Sequence, residues 1–291
     1  MTTILTDSAN YTAIANAIRT QLGVQTTYLP SEMADAILSI SGGGGTVGPS
    51  TVTWANSTWE DIAAALAGHY AGDFDLTEYW DVGDTRSVSL SAMSATGVSE
   101  SHSAQTVELV IMAAKHYDMS DNSGKAAFVI GQKDCLAETG YMNSTDETIG
   151  AWDACSRRTW CNNVYKSALP SDLQSLIKQV AIVTASNGGT YNPCPTTTSN
   201  DFCFVAAEKE VLGSNYNAAS NGETTLSQYG WYSNGNKVKK LGTSGSAKAY
   251  WLRSPDMAYN SIFCAVSNNG IKDRDLSSDA RNYGIAPCFC I

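Results

Sequence analysis

Four consecutive glycines at residues 42–45 divide this chain and limit what can fold on either side of them. Glycine has no side chain to restrict backbone rotation, so such a run favours neither helix nor strand. Only about forty residues precede the run, too few for an independent core, whereas the residues that follow can close a large one. The sequence therefore predicts a short helical segment at 1–40, a flexible Gly-rich linker at 41–50 and one domain at 51–291.

The N-terminal segment has the residue spacing of two short amphipathic helices. Asn10 can cap a first helix, and Pro30 begins a second one. Neither helix can bury its apolar stripe alone, so we expect the segment to dock on a partner or to self-associate. A loose helical appendage is the alternative. The apolar positions are Tyr11, Ile14, Ala15, Ile18 and Leu22 in the first helix, and Met33, Ile37 and Leu38 in the second.

The rest of the chain alternates between helical and strand-like patterns, which predicts an α+β fold. Residues 57–61 match a capping box that opens a helix, and residues 87–90 and 106–112 have the character of strands. Helices are predicted over 152–165 and from Pro170 onward. Short apolar strands are predicted at 202–205 and 263–266.

The charge balance excludes several classes of function. The chain has 18 Lys and Arg against 28 Asp and Glu, a net charge of −10, so we expect no nucleic-acid partner. No run of about 18 apolar residues occurs, so we expect no membrane insertion. The first ten residues lack the basic start and apolar run of a secretion signal, which predicts synthesis in the cytoplasm.

Residue types that carry catalysis or hold metals are present without the spacing that such chemistry needs. The eight cysteines show no paired two-residue gaps of a structural zinc site, and most are expected to be free, buried thiols. The three histidines are scattered, and no motif marks a serine nucleophile. The segment 118–124 departs from the calcium-loop pattern. We therefore expect no metal, no cofactor and no enzymatic activity.

Two segments near the C-terminus are similar to those of a known family. They are Tyr-Trp-Leu-Arg-Ser-Pro at 250–255 and Gly-Ile-Ala-Pro-Cys-Phe-Cys-Ile at 284–291. With weaker matches such as Trp-Glu-Asp-Ile at 59–62 and Glu-Lys-Glu-Val-Leu-Gly at 208–213, they resemble a bacterial and phage family best known as an uncharacterised domain of Firmicutes. That resemblance implies a C-type lectin-like, or formylglycine-generating-enzyme-like, fold for 51–291. Residues 10–19 separately resemble the start of many phage tail and baseplate proteins.

The same arrangement, a polar stretch between two fixed segments, also resembles the variable protein of a diversity-generating retroelement. In that resemblance, mutagenesis of template adenines gives codons that cannot encode Met, Trp, Lys, Glu or Gln. Between Asp256 and Tyr283 only Met257 and Lys272 belong to this set. The resemblance implies a diversified ligand-binding face over about 256–283. An ordinary solvated, turn-rich loop is the alternative.

Alternation along a strand divides this stretch into inward and outward side chains. Phe263, Cys264 and Val266 are the predicted inward anchors, while Trp251 and Arg253 are expected in the core, with Arg253 donating to buried carbonyl groups. A sugar-stacking and carboxylate-binding role for residues 251–253 is the alternative. The predicted scaffold is Trp251, Leu252, Arg253, Gly284 and Pro287. The predicted outward, ligand-binding residues are Tyr259, Asn260, Ser261, Ile262, Ala265, Ser267, Ile271, Asp273, Arg274, Asp275, Ser277, Arg281 and Tyr283.

Together the resemblances imply a receptor-binding or display protein of a phage tail, located in the virion. Residues 1–40 would attach it to tail or baseplate proteins, and the diversified face would bind a bacterial surface protein or glycan. Threefold attachment, common in tails, implies a homotrimer. Two alternatives remain: an oxidase-like enzyme of the formylglycine-generating fold that uses cysteine thiols, and a structural virion protein.

Overall fold

The structure, a computed structural model, describes most of the chain and divides it into two compact units, residues 1–48 and 49–291. The division lies inside the segment 41–50 that the sequence assigns to a linker. The helix predicted from Pro30 lies outside the described residues. These are 8–22, 27, 49–99, 101–148, 150–186, 194–218, 223, 225–279 and 283–291.

Helix α1, Ser8–Leu22, is the described element of the first unit. It confirms the predicted helix, but the helix begins at Ser8, so Asn10 lies within its first turn and the prediction that Asn10 caps it is wrong. Ala15 and Ile18, three residues apart on one face, are both buried.

Helix α2, Trp59–Ala71, begins where the sequence predicts it. The Thr58 hydroxyl accepts the backbone N–H of Asp61 at 3.1 Å, and the Asp61 carboxylate accepts the N–H of Thr58 at 3.2 Å. This reciprocal pair satisfies two N–H groups that the helix cannot satisfy itself. Gly72 ends the helix in the left-handed conformation, with φ of 83°.

The helix predicted over 152–165 begins later than expected. Cys155 has an extended backbone, and α3 starts at Ser156, because Gly150 and Ala151 form a turn with positive φ values. A π-helical turn, Cys161–Tyr165, then interrupts the α-helical hydrogen bonding. The remaining helices are α4 Lys166–Ala168, α5 Ser171–Leu176, α6 Glu208–Leu212 and α7 Gly230–Ser233, and a 3-10 turn spans Leu76–Glu78.

The first sheet has five described strands in the order β1-β2-β3-β12-β6, all antiparallel. Its middle strand β3 is buried at every position, so its sequence has no alternation and was not predicted. The bounds are β1 Thr85–Leu90, β2 Gln105–Ala114, β3 Phe128–Gln132, β6 Cys203–Phe204 and β12 Cys288–Cys290.

The second sheet has the order β10-β9-β8-β11, and β7 also pairs with β8. Strand β11 runs parallel to β8, and the other pairs are antiparallel. A separate ribbon is formed by β4 and β5. The bounds are β4 Val180–Ala185, β5 Thr196–Asp201, β7 Lys239–Lys240, β8 Ala247–Pro255, β9 Ile262–Val266, β10 Lys272–Leu276 and β11 Tyr283–Gly284.

These elements confirm a mixed α+β fold. One continuous apolar core connects the two sheets, and it includes Trp54, Trp80 and Phe128, with the last two rings stacked at 5.4 Å. Among the described helices none is long and apolar enough to cross a membrane.

A buried charge pair lies inside this core. The Arg253 guanidinium on β8 donates two hydrogen bonds to the Glu210 carboxylate on α6, at 2.7 and 2.9 Å, and neither side chain is exposed. Although burial opposes ionisation, Arg253 and His116 hold the pKa of Glu210 well below its ordinary range. The remaining donors to this carboxylate are His116 Nε2, the hydroxyls of Tyr117 and Tyr229, and the N–H of Ala207.

We expect Glu210→Gln to lower the free energy of unfolding by about 3–5 kcal/mol, because the change leaves the Arg253 charge buried without its counter-ion. Chemical denaturation measures the difference. Glu147→Gln, at an exposed glutamate, is the matched control and should change stability by less than about 0.5 kcal/mol. Equal effects of the two substitutions would contradict the assignment.

Candidate ligand-binding face

Strands β9 and β10 form a hairpin whose surface we call the candidate face, residues 256–279. The turn between them is closed by the N–H of Ser267, which donates to the Ile271 carbonyl at 2.8 Å, and by Gly270, whose φ is 77°. Phe263, Cys264 and Val266 are fully buried, as predicted for the inward anchors.

Strand β10 is the outermost described strand of its sheet and presents alternate side chains to solvent. Lys272, Arg274 and Leu276 are exposed, whereas Asp273 and Asp275 between them are half-buried. The two exposed cations each lie over a tyrosine ring. Arg274 is 5.1 Å from the ring of Tyr259, and Lys272 is 5.2 Å from the ring of Tyr216.

Asp256 fixes the loop that carries Tyr259. One oxygen of its buried carboxylate accepts the N–H groups of Ala258 and Tyr259, at 2.8 and 3.2 Å. The other oxygen accepts Arg274 Nη1 at 2.7 Å. Tyr259 is thereby held with 49% of its surface exposed, so its ring is available for contact without a large loss of conformational freedom.

Tyr283 lies on the opposite side of β10 from this cluster. Its ring stacks on Trp251 at 4.3 Å, and its hydroxyl donates to Asp273 at 3.0 Å. Only 4% of Tyr283 is exposed, and burial raises the pKa of its hydroxyl. The prediction of an outward Tyr283 is therefore wrong, and Tyr283 belongs to the support of β10.

Two further predicted outward residues are buried. Ala265 lies on β9, which is covered on both sides, so alternation along this strand does not separate core from solvent. Ser277 is buried because its hydroxyl donates to the Thr145 carbonyl at 2.7 Å. Arg281 lies outside the described residues. Of the remaining predicted residues, Tyr259, Asn260, Ile271 and Arg274 are exposed, and Ser261, Ile262, Ser267, Asp273 and Asp275 are half-buried.

The structure adds residues that sequence reasoning did not select. Tyr216, 50% exposed, comes from a distant loop, and the adjacent Asn217 side chain donates to the Asp273 carbonyl at 3.2 Å. Met257 and Leu276 are exposed apolar side chains of the face itself. The only sequence signal for Tyr216 was a tyrosine in an Asn- and Ser-rich loop, because residue 216 is far from the hairpin along the chain.

The predicted scaffold residues lie in the interior. Trp251 donates its indole N–H to the Gly140 carbonyl at 2.8 Å, and Arg253 donates to the Val205 carbonyl at 3.1 Å as well as to Glu210. Leu252, Gly284 and Pro287 are also buried, and a Cβ at Gly284 would lie 2.6 Å from the Cys135 sulfur. Glu210, the main partner of Arg253, was not predicted, since it lies about forty residues away.

Three buried carboxylates lie beneath the face: Glu208, Glu223 and Asp256. Glu208 accepts the backbone N–H groups of Tyr216, Asn217 and Ala218 and so fixes the loop of Tyr216. The Ser254 hydroxyl joins two of the acids, because it donates to Glu223 at 2.7 Å and accepts the N–H of Glu208 at 2.9 Å. Burial raises the pKa of Glu223 to about 7 and also raises that of Glu208.

The raised pKa of Glu223 makes the free energy of unfolding fall as pH rises. Below the ordinary pKa of about 4.5, Glu223 is protonated in both the folded and the unfolded state, and its full contribution to the free energy of unfolding is present. As pH rises toward 7 the unfolded chain ionises first, so stability falls, by about 2 kcal/mol between pH 5 and pH 8. Glu223→Gln should remove this part of the pH dependence in denaturation series, and Glu147→Gln should not. An unchanged slope in Glu223→Gln would refute the assignment.

All eight cysteines are buried, and Cys135, Cys155, Cys161, Cys203, Cys264, Cys288 and Cys290 are free thiols, which confirms the prediction that most of them are free and buried. Burial raises the pKa of Cys288 to about 12 and raises that of Cys290 as well. In the part of the chain that the structure describes, no group of three His, Cys, Asp or Glu side chains could hold a metal ion.

We expect the native protein to react with a thiol reagent such as Ellman's reagent at less than about one-hundredth of the rate of the unfolded chain, because thiolate formation and access are both suppressed. Eight thiols should then titrate in denaturant. Rapid labelling of Cys288 or Cys290 in the native state would instead support the oxidase-like alternative.

Comparison with known families gives one match. A family model described as a domain of unknown function (DUF6273) covers residues 127–291, which is more than half of the chain. The match contains α6, the second sheet and the whole candidate face. Comparison with curated proteins and with solved structures gave no match.

Proposed function

The chain belongs to the DUF6273 family of unknown function, and from its candidate face we propose that it is a non-enzymatic ligand-binding protein of a bacteriophage tail. In this proposal residues 49–291 form a C-type lectin-like domain that touches the bacterial surface. Residues 1–40 attach the protein to the tail or baseplate, and three copies assemble in the virion.

The observation that carries the proposal is the composition of the exposed side of β10. Tyr259, Tyr216, Arg274 and Lys272 lie there as two cation–tyrosine pairs. Tyrosine and arginine dominate the energetics of protein interfaces, because each combines a large contact area with directional hydrogen bonding. Exposed aliphatic side chains extend the same surface, with Ile271 at 61% exposure.

The support of the face is separated from the face itself, which suits a diversified surface. The exposed residues Tyr259, Asn260 and Ile271 make no contribution to the apolar core. Their positions are set by buried groups, chiefly Asp256 and the β8 strand. Substitutions at such positions change binding more than stability, so retroelement mutagenesis of the stretch would alter specificity while the fold persists. A template repeat and a reverse transcriptase gene beside the coding sequence would support this part of the proposal.

We expect Tyr259→Ala to weaken binding of the labelled full chain to washed cells of its bacterial host by at least about tenfold, because an aromatic contact residue contributes about 2 kcal/mol or more. Tyr79→Ala is the matched control, since Tyr79 is 46% exposed and lies in the turn that follows α2. Both variants should keep the thermal unfolding temperature of the parent. Equal binding by the two variants would contradict the proposed face.

A further inference from the structure

A loop between β1 and β2 brings a serine hydroxyl and a histidine together in the interior. Within it, Met93 pairs with His102 and Thr96 pairs with Ser99, so the backbone folds back on itself. Ser99 and His102 are 2% and 1% exposed. The Ser99 hydroxyl therefore lies inside the folded loop, where the carbonyl that precedes it in the chain is a neighbouring group.

The Ser99 hydroxyl has a base, and the base has an orienting partner. Ser99 Oγ is 2.6 Å from His102 Nε2, and His102 Nδ1 is 2.7 Å from the Glu138 carboxylate. A carboxylate at Nδ1 keeps the proton on that nitrogen, so Nε2 is free to accept the hydroxyl proton. Burial lowers the pKa of His102, which keeps the imidazole in the neutral form that a base requires.

The carbonyl that precedes Ser99 has two donors on its oxygen. The Val98 oxygen accepts the N–H of Tyr141 at 3.0 Å and a guanidinium N–H of Arg157. Arg157 is fully buried, and its described hydrogen bonds go to backbone carbonyl oxygens, those of Val98 and Tyr141. A charged donor and a backbone N–H on one carbonyl oxygen form the arrangement that stabilises the oxyanion of acyl transfer.

We propose that the chain cleaves itself at the Val98–Ser99 peptide bond by an N-to-O acyl shift. Attack of a serine hydroxyl on its own preceding carbonyl carbon closes a five-membered ring, so the reaction needs no substrate to enter the buried loop. The hydroxyl has its base at 2.6 Å, and the oxygen of the carbonyl that precedes it has two donors.

Ser99 Oγ bonds to the Val98 carbonyl carbon while its proton passes to His102, and Arg157 and Tyr141 hold the oxyanion. The carbon–nitrogen bond then breaks, and His102 returns the proton to the departing Ser99 nitrogen, leaving an ester between Val98 and Ser99. One water molecule hydrolyses the ester, giving a carboxylate at Val98 and a free hydroxyl and amine at Ser99.

Water can approach the ester through an adjoining cavity. A cavity of about 350 Å³ lies against Thr96, Gly97 and Val98, with Trp160 and Asn163 on its other walls. The pieces should stay associated after cleavage, because β1 in the first pairs over six residues with β2 in the second. Cleavage is therefore visible only after denaturation.

The purified full chain, incubated at neutral pH and then denatured, should show two fragments by mass spectrometry, residues 1–98 and 99–291. Hydroxylamine should increase the yield of these two fragments at least severalfold, because it cleaves esters. It also cleaves Asn–Gly bonds, such as Asn234–Gly235 and Asn269–Gly270, and mass distinguishes those products from residues 1–98 and 99–291. Ser99→Ala should abolish the fragments. Ser101→Ala, at an exposed serine two residues away, is the matched control and should cleave like the parent.

Two more variants keep the test decisive if Ser99→Ala disturbs folding. Ser99→Cys should form a thioester that added thiols cleave at the same bond. Glu138→Gln, which alters only a positioning residue, should slow cleavage by about tenfold or more and change its pH profile. A chain that gives no cleavage between Val98 and Ser99 after hydroxylamine treatment, or fragments 1–98 and 99–291 that persist in Ser99→Ala, would overturn the proposal.

Discussion

The charge pair between Glu210 and Arg253 is the interaction on which the rest of the structure depends. Removing two charges from water is costly, and a buried pair is stable only when its geometry is close and its remaining hydrogen-bonding groups have partners. Glu210 meets this requirement with donors from β8, from the segment after β2 and from the residue before α7. Each of these elements is thereby fixed to α6, and the second sheet is fixed through β8.

Helix α6 connects the charge pair to the candidate face. Glu210 joins the helix to the core, and Glu208, two residues earlier, accepts three backbone N–H groups of the loop that carries Tyr216. Ser254, next to Arg253 on β8, continues the connection to Glu223, and Asp256 holds the loop of Tyr259. Buried carboxylates thus position the loops by accepting backbone N–H groups. The exposed side chains of Tyr259, Asn260 and Ile271 lie outside the apolar core, so their identity is free to serve a ligand, whereas Arg274 also pairs with the buried Asp256 carboxylate.

Local features were predictable from the sequence, and features that depend on distant partners were not. The capping box of Thr58 and Asp61 involves neighbours in the chain, so the start of α2 followed directly. Burial on both faces hid β3 from a search for alternation, and it also made Ala265 an inward residue although its spacing suggested the opposite. Tyr259 and Arg274, which the sequence predicts to point outward, are exposed. Tyr216 reaches the candidate face only through the fold. The fold also brings Glu138 and Arg157 to Ser99 from distant parts of the chain.

Arg157 and Arg253 are both fully buried, and the contrast between them bears on chemistry. Arg253 faces a carboxylate, so its charge is balanced in the resting structure. Among the described residues no carboxylate pairs with Arg157, and burial lowers its pKa to about 10. Neutral carbonyl oxygens balance the positive charge of a buried guanidinium only in part. The charge is balanced better once one of those oxygens becomes negative. The Val98 oxygen is the one that would do so, because the Ser99 hydroxyl and its base act on the carbon to which that oxygen is bonded.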